Sequence, residues 1–301
     1  MDYITSVLVG TSPYNAEIRS FFQGFAGATA VKNGANKDRQ MNWWHALCLS
    51  AVTAFGGGLF NPIWIGKPAA MIAGGDVAIP ITIVAFILAN YTPIGYSLPV
   101  KVVTTIWSQL FKSLGTMAFI NQALQVVPAS KFYPIPILGP VLYGALLGNM
   151  GSFFINGFHG HLQKGMPFPF QNGIVCGLFF HLYANDHEGP LGDFVRAPFA
   201  SIQPESMDDT TFAKFMVSGF MVMTALLQFP QLLGSSFNPF VTPYEALTAS
   251  FVPPTESSKS TKGSTGAPGS EADSDDGEDL DGDNTKQTPS KKKRQKKKKK
   301  A

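Results

Sequence analysis

Uncharged apolar runs, repeated along the first 250 residues, constrain this chain more than any single motif. Lys and Arg together number only 11 there, and Asp and Glu another 11, far below the ordinary charged share of about 25%. Trp43–Gly66, Val77–Val100, Tyr133–Gln163, Pro167–Asn185 and Phe215–Tyr244 contain no Asp, Glu, Lys or Arg at all. An apolar helix of roughly 20 residues crosses the ~30 Å hydrocarbon core of a bilayer. A helix near 101–127, holding Lys101 and Lys112, adds a sixth span, and residues 3–31, interrupted by Glu17 and Arg19, add the first. The expected fold is an all-α polytopic membrane protein with seven transmembrane helices. Residues 251–301 differ in kind, with a Ser/Thr/Gly stretch, an acidic block (EADSDDGEDLDGD) and a Lys block (KKKRQKKKKKA). Such a segment cannot bury a core, so disorder is expected.

Basic residues suggest an orientation, because Lys and Arg gather on the cytoplasmic side. With the N-terminus outside, Lys32, Lys37, Arg39, Lys101, Lys164 and the Lys-rich tail lie inside, whereas Lys67 and Lys131 fall outside. The acidic loop 186–213 also lies outside and could gather cations. The N-terminus lacks a basic segment followed by an apolar one, so the first span is expected to act as the targeting signal. Cys48 and Cys176 both sit in apolar runs, which argues against a disulfide framework.

Two of the spans are rich in glycine. The second reads FGGGLFNP over residues 55–62, with Gly56, Gly57, Gly58 and then Pro62. Gly costs a helix interior about 1 kcal/mol and Pro about 3, so a break or hinge is expected at its middle. The fifth span carries Gly139, Gly144, Gly148, Gly151 and Gly157, with Asn149 and Asn156 among them. If spans 1–3 and 4–6 are two three-helix halves, the second and fifth spans are their middle helices. Three spans per half give the halves opposite orientation. Paired interrupted spans point to inverted repeats with an ion or substrate path between them. The competing reading is close helix packing, for which Gly144-x-x-x-Gly148 would serve.

The stretches RQMNWWHALCLSAVTAFGGGLFNPIWIGKP (39–68) and ANYTPIGYSLPVKVV (89–103), with GNMG at 148–151, resemble the trimeric intracellular cation channels. The matching features are Arg39, Phe55-Gly56, Gly66-Lys67-Pro68 and Pro99-Val100-Lys101, with Lys67 standing where that family has an acid. The resemblance covers roughly residues 15–235. It implies a seven-helix protomer of two inverted three-helix repeats plus a final helix, and a homotrimer with one pore per protomer. It also implies conduction of potassium and other monovalent cations across endoplasmic reticulum or a related endomembrane, as counter-ion flux during calcium release. The glycine-kinked second and fifth spans would line the pore, through Gly56, Gly57, Gly58, Pro62, Gly148, Asn149 and Gly151. The family's lipid-binding Lys-Glu-Val aligns with Ser108-Gln109-Leu110, and its later basic residue with Lys112, so half of an inositol-lipid site is absent.

Lys101 and Lys112 are spaced to share one helix face with Thr105 and Ser108. Lys101 would snorkel at the cytoplasmic end. Lys112 lies roughly 16 Å deeper, where a charge faces a cavity or a partner. It is expected to face the pore or bind a lipid phosphate. Lys101, Ser108 and Lys112 are therefore the candidate gating or anionic-lipid residues. Lys298 and Lys299 stand where a dilysine signal for return to the endoplasmic reticulum would stand. His159 and His161 do not share a helix face, so no metal site is expected, and His45 beside Trp43 and Trp44 reads as an interfacial start of the second span. No phosphate loop, Ser-centred elbow or carboxylate pair within a span suggests an enzyme, a cofactor or a nucleic-acid partner. A secondary transporter on a similar repeat and a non-conducting membrane scaffold are the alternatives.

Overall fold

A computed structural model of the chain describes residue 6 and residues 12–66, 76–155 and 166–229. The acidic and Lys-rich tail, Lys67, Lys164, His159, His161 and Asn156 lie outside the described residues. Among the described residues, seven long helices overlap the seven expected spans, the last at Asp209–Leu226 where Phe215–Tyr244 is expected. They are α1 (Asn15–Asn33), α2 (Trp43–Ile65), α3 (Ala78–Tyr91), α4 (Leu98–Leu124), α5 (Leu138–Ile155), α6 (Phe168–Asn185) and, after a short α7 (Pro190–Arg196), α8 (Asp209–Leu226). Among the described residues α2 and α5 are long and apolar enough to cross a membrane, and α3 is apolar but shorter.

The termini of these helices follow local chemistry. Asn42 caps α2 by accepting from the His45 backbone N–H at 2.8 Å, and Gly66 ends it in the left-handed conformation at φ 68°. Asp208 caps α8 by accepting from the Thr211 N–H at 3.1 Å. The expected span 77–100 is divided: α3 stops at Tyr91, Thr92 is extended before Pro93, a 3₁₀ turn follows at Pro93–Tyr96, and α4 begins at Leu98. A residue before proline is pushed out of the helical region, which accounts for the stop.

The packing forms two cores. Phe25, Ala28, Leu47, Ala85 and Phe86 join α1, α2 and α3. Met117, Ile120, Phe180, Tyr183, Phe212 and Met221 join α4, α6 and α8. Between them Phe119, Leu147 and Met150 close α4 and α5, with Phe60 of α2 against them. Buried polar side chains tie neighbouring helices. Ser113 and Ser218 meet at 2.6 Å, Asn172 donates to the Thr224 hydroxyl at 2.9 Å, and the Tyr143 hydroxyl donates to Asn61 at 2.7 Å. Lys32 donates to the Ala89 carbonyl at 2.8 Å near the C-terminus of α3, while lying 3.5 Å from the centre of the Tyr96 ring.

Candidate functional site

The glycines of α2 do not break it. The helix is α-helical from Trp43 to Ile65, through Gly56–Gly58 and with Pro62 inside it, and α5 is likewise helical through Gly139, Gly144, Gly148 and Gly151. The expected break is therefore corrected. The missing side chains serve a crossing of the two helices at near-backbone contact. A Cβ on Gly57 would overlap the Leu147 carbonyl, and one on Gly151 would overlap the Thr53 carbonyl. On the neighbouring helix, a Cβ on Gly148 would overlap the Thr116 hydroxyl, and one on Gly144 would overlap Ile120. Pro62 lies in the last turn of α2, and its carbonyl accepts from the Gly66 N–H at 2.9 Å.

The crossing has a reciprocal pattern. The same sequence offset carries Thr53 to Leu147, Gly57 to Gly151 and Phe60 to Phe154. Thr53 meets Gly151 as Leu147 meets Gly57, and Phe60 stacks on Phe154 with ring centres 5.5 Å apart. Asn61 and Tyr143 close the same crossing.

A cavity of about 220 Å³ opens beside it, lined by α1, α2, α4 and α5 and by Ala78 at the start of α3. Gly56, Gly57, Gly58, Gly148, Asn149, Gly151 and Lys112, all marked by the sequence, line it together. Pro62, Lys101 and Ser108 are not in that lining. Lys101 sits half-buried in the first turn of α4. Ser108 is buried and engaged elsewhere: its hydroxyl donates to the Gln23 side-chain oxygen at 3.4 Å, and its carbonyl accepts from the Gln23 amide at 3.2 Å. This pair clamps α1 to α4. The expected lipid or gating face along α4 is thereby divided, with Ser108 turned to α1 and Lys112 to the cavity.

Sequence reasoning missed a second cation. Arg19, read there only as an interruption of the first span, lines the cavity with Lys112. Its guanidinium lies against Gly115 on α4, where an added Cβ would stand 3.8 Å away. The available signal was the spacing of Arg19 and Gln23, four residues apart on one face of an otherwise apolar helix. Two further polar groups mark the lining. The Asn149 side-chain amide donates to Ala145 O at 3.0 Å, and its oxygen, like the Thr53 hydroxyl, is buried with no hydrogen-bond partner among the described residues.

On the acidic loop, Asp186 is fully buried and accepts from the Tyr133 hydroxyl at 2.5 Å and the Gly192 N–H at 2.8 Å. Arg196 donates to the carbonyls of Asp186 and Tyr183 at 2.8 and 3.2 Å, satisfying the end of α6. Burial, then the neighbouring Asp186, pushes the Tyr133 phenol above its ordinary range. Asp186 and Arg196, expected in a loop that gathers cations, are thus occupied in folding that loop.

No protein-family model matches the sequence, and no similar curated protein was found. Solved structures do match the fold. A trimeric intracellular cation channel from C. elegans in the absence of Ca2+ aligns at 12% identity over 76% of this chain and 97% of that chain, with a TM-score of 0.50. A C. elegans structure of that channel type with bound Ca2+ aligns at 13% identity over 74% and 94%, with a TM-score of 0.46. A structure described for TRIC counter-ion channels in calcium release aligns at 14% identity over 76% and 100%, with a TM-score of 0.47. The fold of this chain is the fold of the first of these channels.

Proposed function

We propose that this chain is a monovalent cation channel of an intracellular membrane, conducting mainly potassium, with one conduction path per protomer along the cavity between α2 and α5. The observation that carries this reading is the meeting of both glycine clusters and Asn149 at one cavity beside the α2–α5 crossing. A crossing without side chains lets the two helices approach to near-backbone contact, and the Thr53 hydroxyl and Asn149 side-chain oxygen, both without a partner among the described residues, belong to residues that line the cavity beside it. The reciprocal offset at the crossing supports two halves related by inversion. The shared fold supports the same architecture and, through the channels that carry it, assembly as a homotrimer. Exposed apolar side chains on α3 (Val84 and Ile87, 51% and 41% exposed) support a lipid-facing surface.

Lys112 is the gating group of this path, and Lys101 is the contact for an anionic lipid at the cytoplasmic end. Residence in endoplasmic reticulum, a cytoplasmic tail and a counter-ion role during calcium release complete the reading. Purified protein in a planar bilayer, under a potassium gradient with chloride as the counter-ion, tests it. The expected reversal potential lies toward the potassium equilibrium potential. A membrane without current, or flux that saturates and requires a co-transported solute, refutes it.

A further inference from the structure

Arg19 and Lys112 give the cavity two positive groups and no acid, because its lining contains neither Asp nor Glu. The nearest acid in sequence, Glu17, lines a separate apolar groove between α1 and α3 with Phe21, Phe22 and Val84. The ion pair between described residues is Arg196–Asp193, on the acidic loop far along the chain. Among the described residues, Arg19 therefore meets no acid in the cavity lining. Both its neighbour Ser20, which donates to Ala16 O at 2.7 Å, and Gln23, bonded to Ser108, are satisfied without it. A guanidinium also stays protonated at any pH a cell reaches, whereas a lysine ammonium loses its proton readily in a dry site. Of the two groups, Arg19 is the permanent charge.

We propose that Arg19 is a conductance-setting residue, a fixed positive charge that forms with Lys112 an electrostatic barrier to cations in the cavity. This rests on the cation-channel reading of the same cavity. A cation entering feels the repulsion of both groups, and the barrier falls when either is removed or drawn aside. Two like charges on α1 and α4 also repel each other across the cavity, so the Gln23–Ser108 clamp between those helices holds the pair in place. A barrier made of two groups predicts that loss of either raises cation flux.

The experiment compares single-channel currents of the full-length chain with those of Arg19→Gln, Arg19→Lys and Glu17→Gln, in symmetric potassium chloride and in a gradient. Arg19→Gln is expected to raise unitary potassium conductance roughly fivefold at low salt, with a smaller rise at high salt where charges are screened. Arg19→Lys, which restores the charge, is expected to return conductance toward the original value. Glu17→Gln, facing the other groove, leaves it unchanged. If the original chain conducts potassium and Arg19→Gln conducts equally, or Glu17→Gln has the same effect, the inference fails while the channel reading stands. If the original chain passes chloride in preference, the channel reading itself fails and Arg19 is an anion-binding group. Removal of an unpaired charge is also expected to raise the melting temperature of Arg19→Gln, so a fall in it would count against the assignment.

Discussion

Gly56 and Gly57 are neighbours in one run of three, yet the structure asks different things of them. An added Cβ at Gly56 meets the Gly151 backbone nitrogen at 3.3 Å, a tight contact that small shifts can relieve, whereas at Gly57 it overlaps a backbone carbonyl on α5. Alanine also gains about 1 kcal/mol of helix propensity over glycine. Gly56→Ala is therefore expected to melt within a few degrees of the original protein, and Gly57→Ala to lose on the order of 1–3 kcal/mol, the usual cost of overpacking. Thermal unfolding in detergent, followed by size-exclusion fluorescence, distinguishes them; equal melting temperatures would show that α2 and α5 do not meet at Gly57. Asp208 offers a second test. The Thr211 hydrogen bond holds its carboxyl below the usual range. Its contribution to stability is present above the ordinary carboxylate pKa and fades as pH falls through the depressed one. Asp208→Ala is expected to cost about 1 kcal/mol and Asp208→Asn much less, since an amide oxygen still caps the helix. The glycine clusters were legible as belonging together, and close packing was the competing reading, but what each glycine packs against was not, because composition does not say what lies opposite a missing side chain. Arg19 was visible in the sequence as a charge, but its role depends on α4 coming alongside, which no local pattern encodes.

Helices are the scale at which the sequence spoke most plainly. Apolar runs, five of them free of charge and two carrying it (Glu17 and Arg19, Lys101 and Lys112), pointed to the seven long helices among the described residues, since burial in either lipid or protein requires apolar composition. Boundaries were less legible where turn chemistry intervened, as at Thr92-Pro93, and α7 was hidden because its residues mix charge and apolar groups in seven positions. That short helix is fixed by Asp186, which joins Tyr133 before α5 to Gly192 on α7. The junction gives an alkaline signature. The Tyr133 phenol titrates above its ordinary range, so its neutral form stabilises the fold at every pH below the ordinary value of about 10, and that support fades only as pH climbs through the raised value. Tyr133→Phe is expected to melt lower at neutral pH, having left Asp186 with one bond fewer. It should also lose melting temperature less steeply than the original chain between about pH 9 and about pH 11. Parallel slopes for the two proteins would show that Tyr133 is not bonded to Asp186.

At the scale of the whole chain, the division between an apolar body and a charged tail leads to a separable function. Every residue lining the cavity falls between Ala16 and Gly151, and the helices that pack behind it end at Leu226. The Lys block holds much of the chain's basic charge, enough to draw it to an anionic membrane surface at about 1 kcal/mol per residue. A channel whose path is complete within the body should conduct without the tail, whereas a scaffold that works through its tail should not. Deletion of residues 253–301 is therefore expected to leave unitary potassium conductance and reversal potential unchanged, while weakening attachment to vesicles rich in anionic lipid. The measurement needs the shortened protein to run at the same size in detergent as the original, so that failure to fold is not mistaken for failure to conduct. A shortened protein of normal size that carries no current would assign the conduction path, or its opening, to the tail, and the cavity at the α2–α5 crossing would then be a packing defect between two halves.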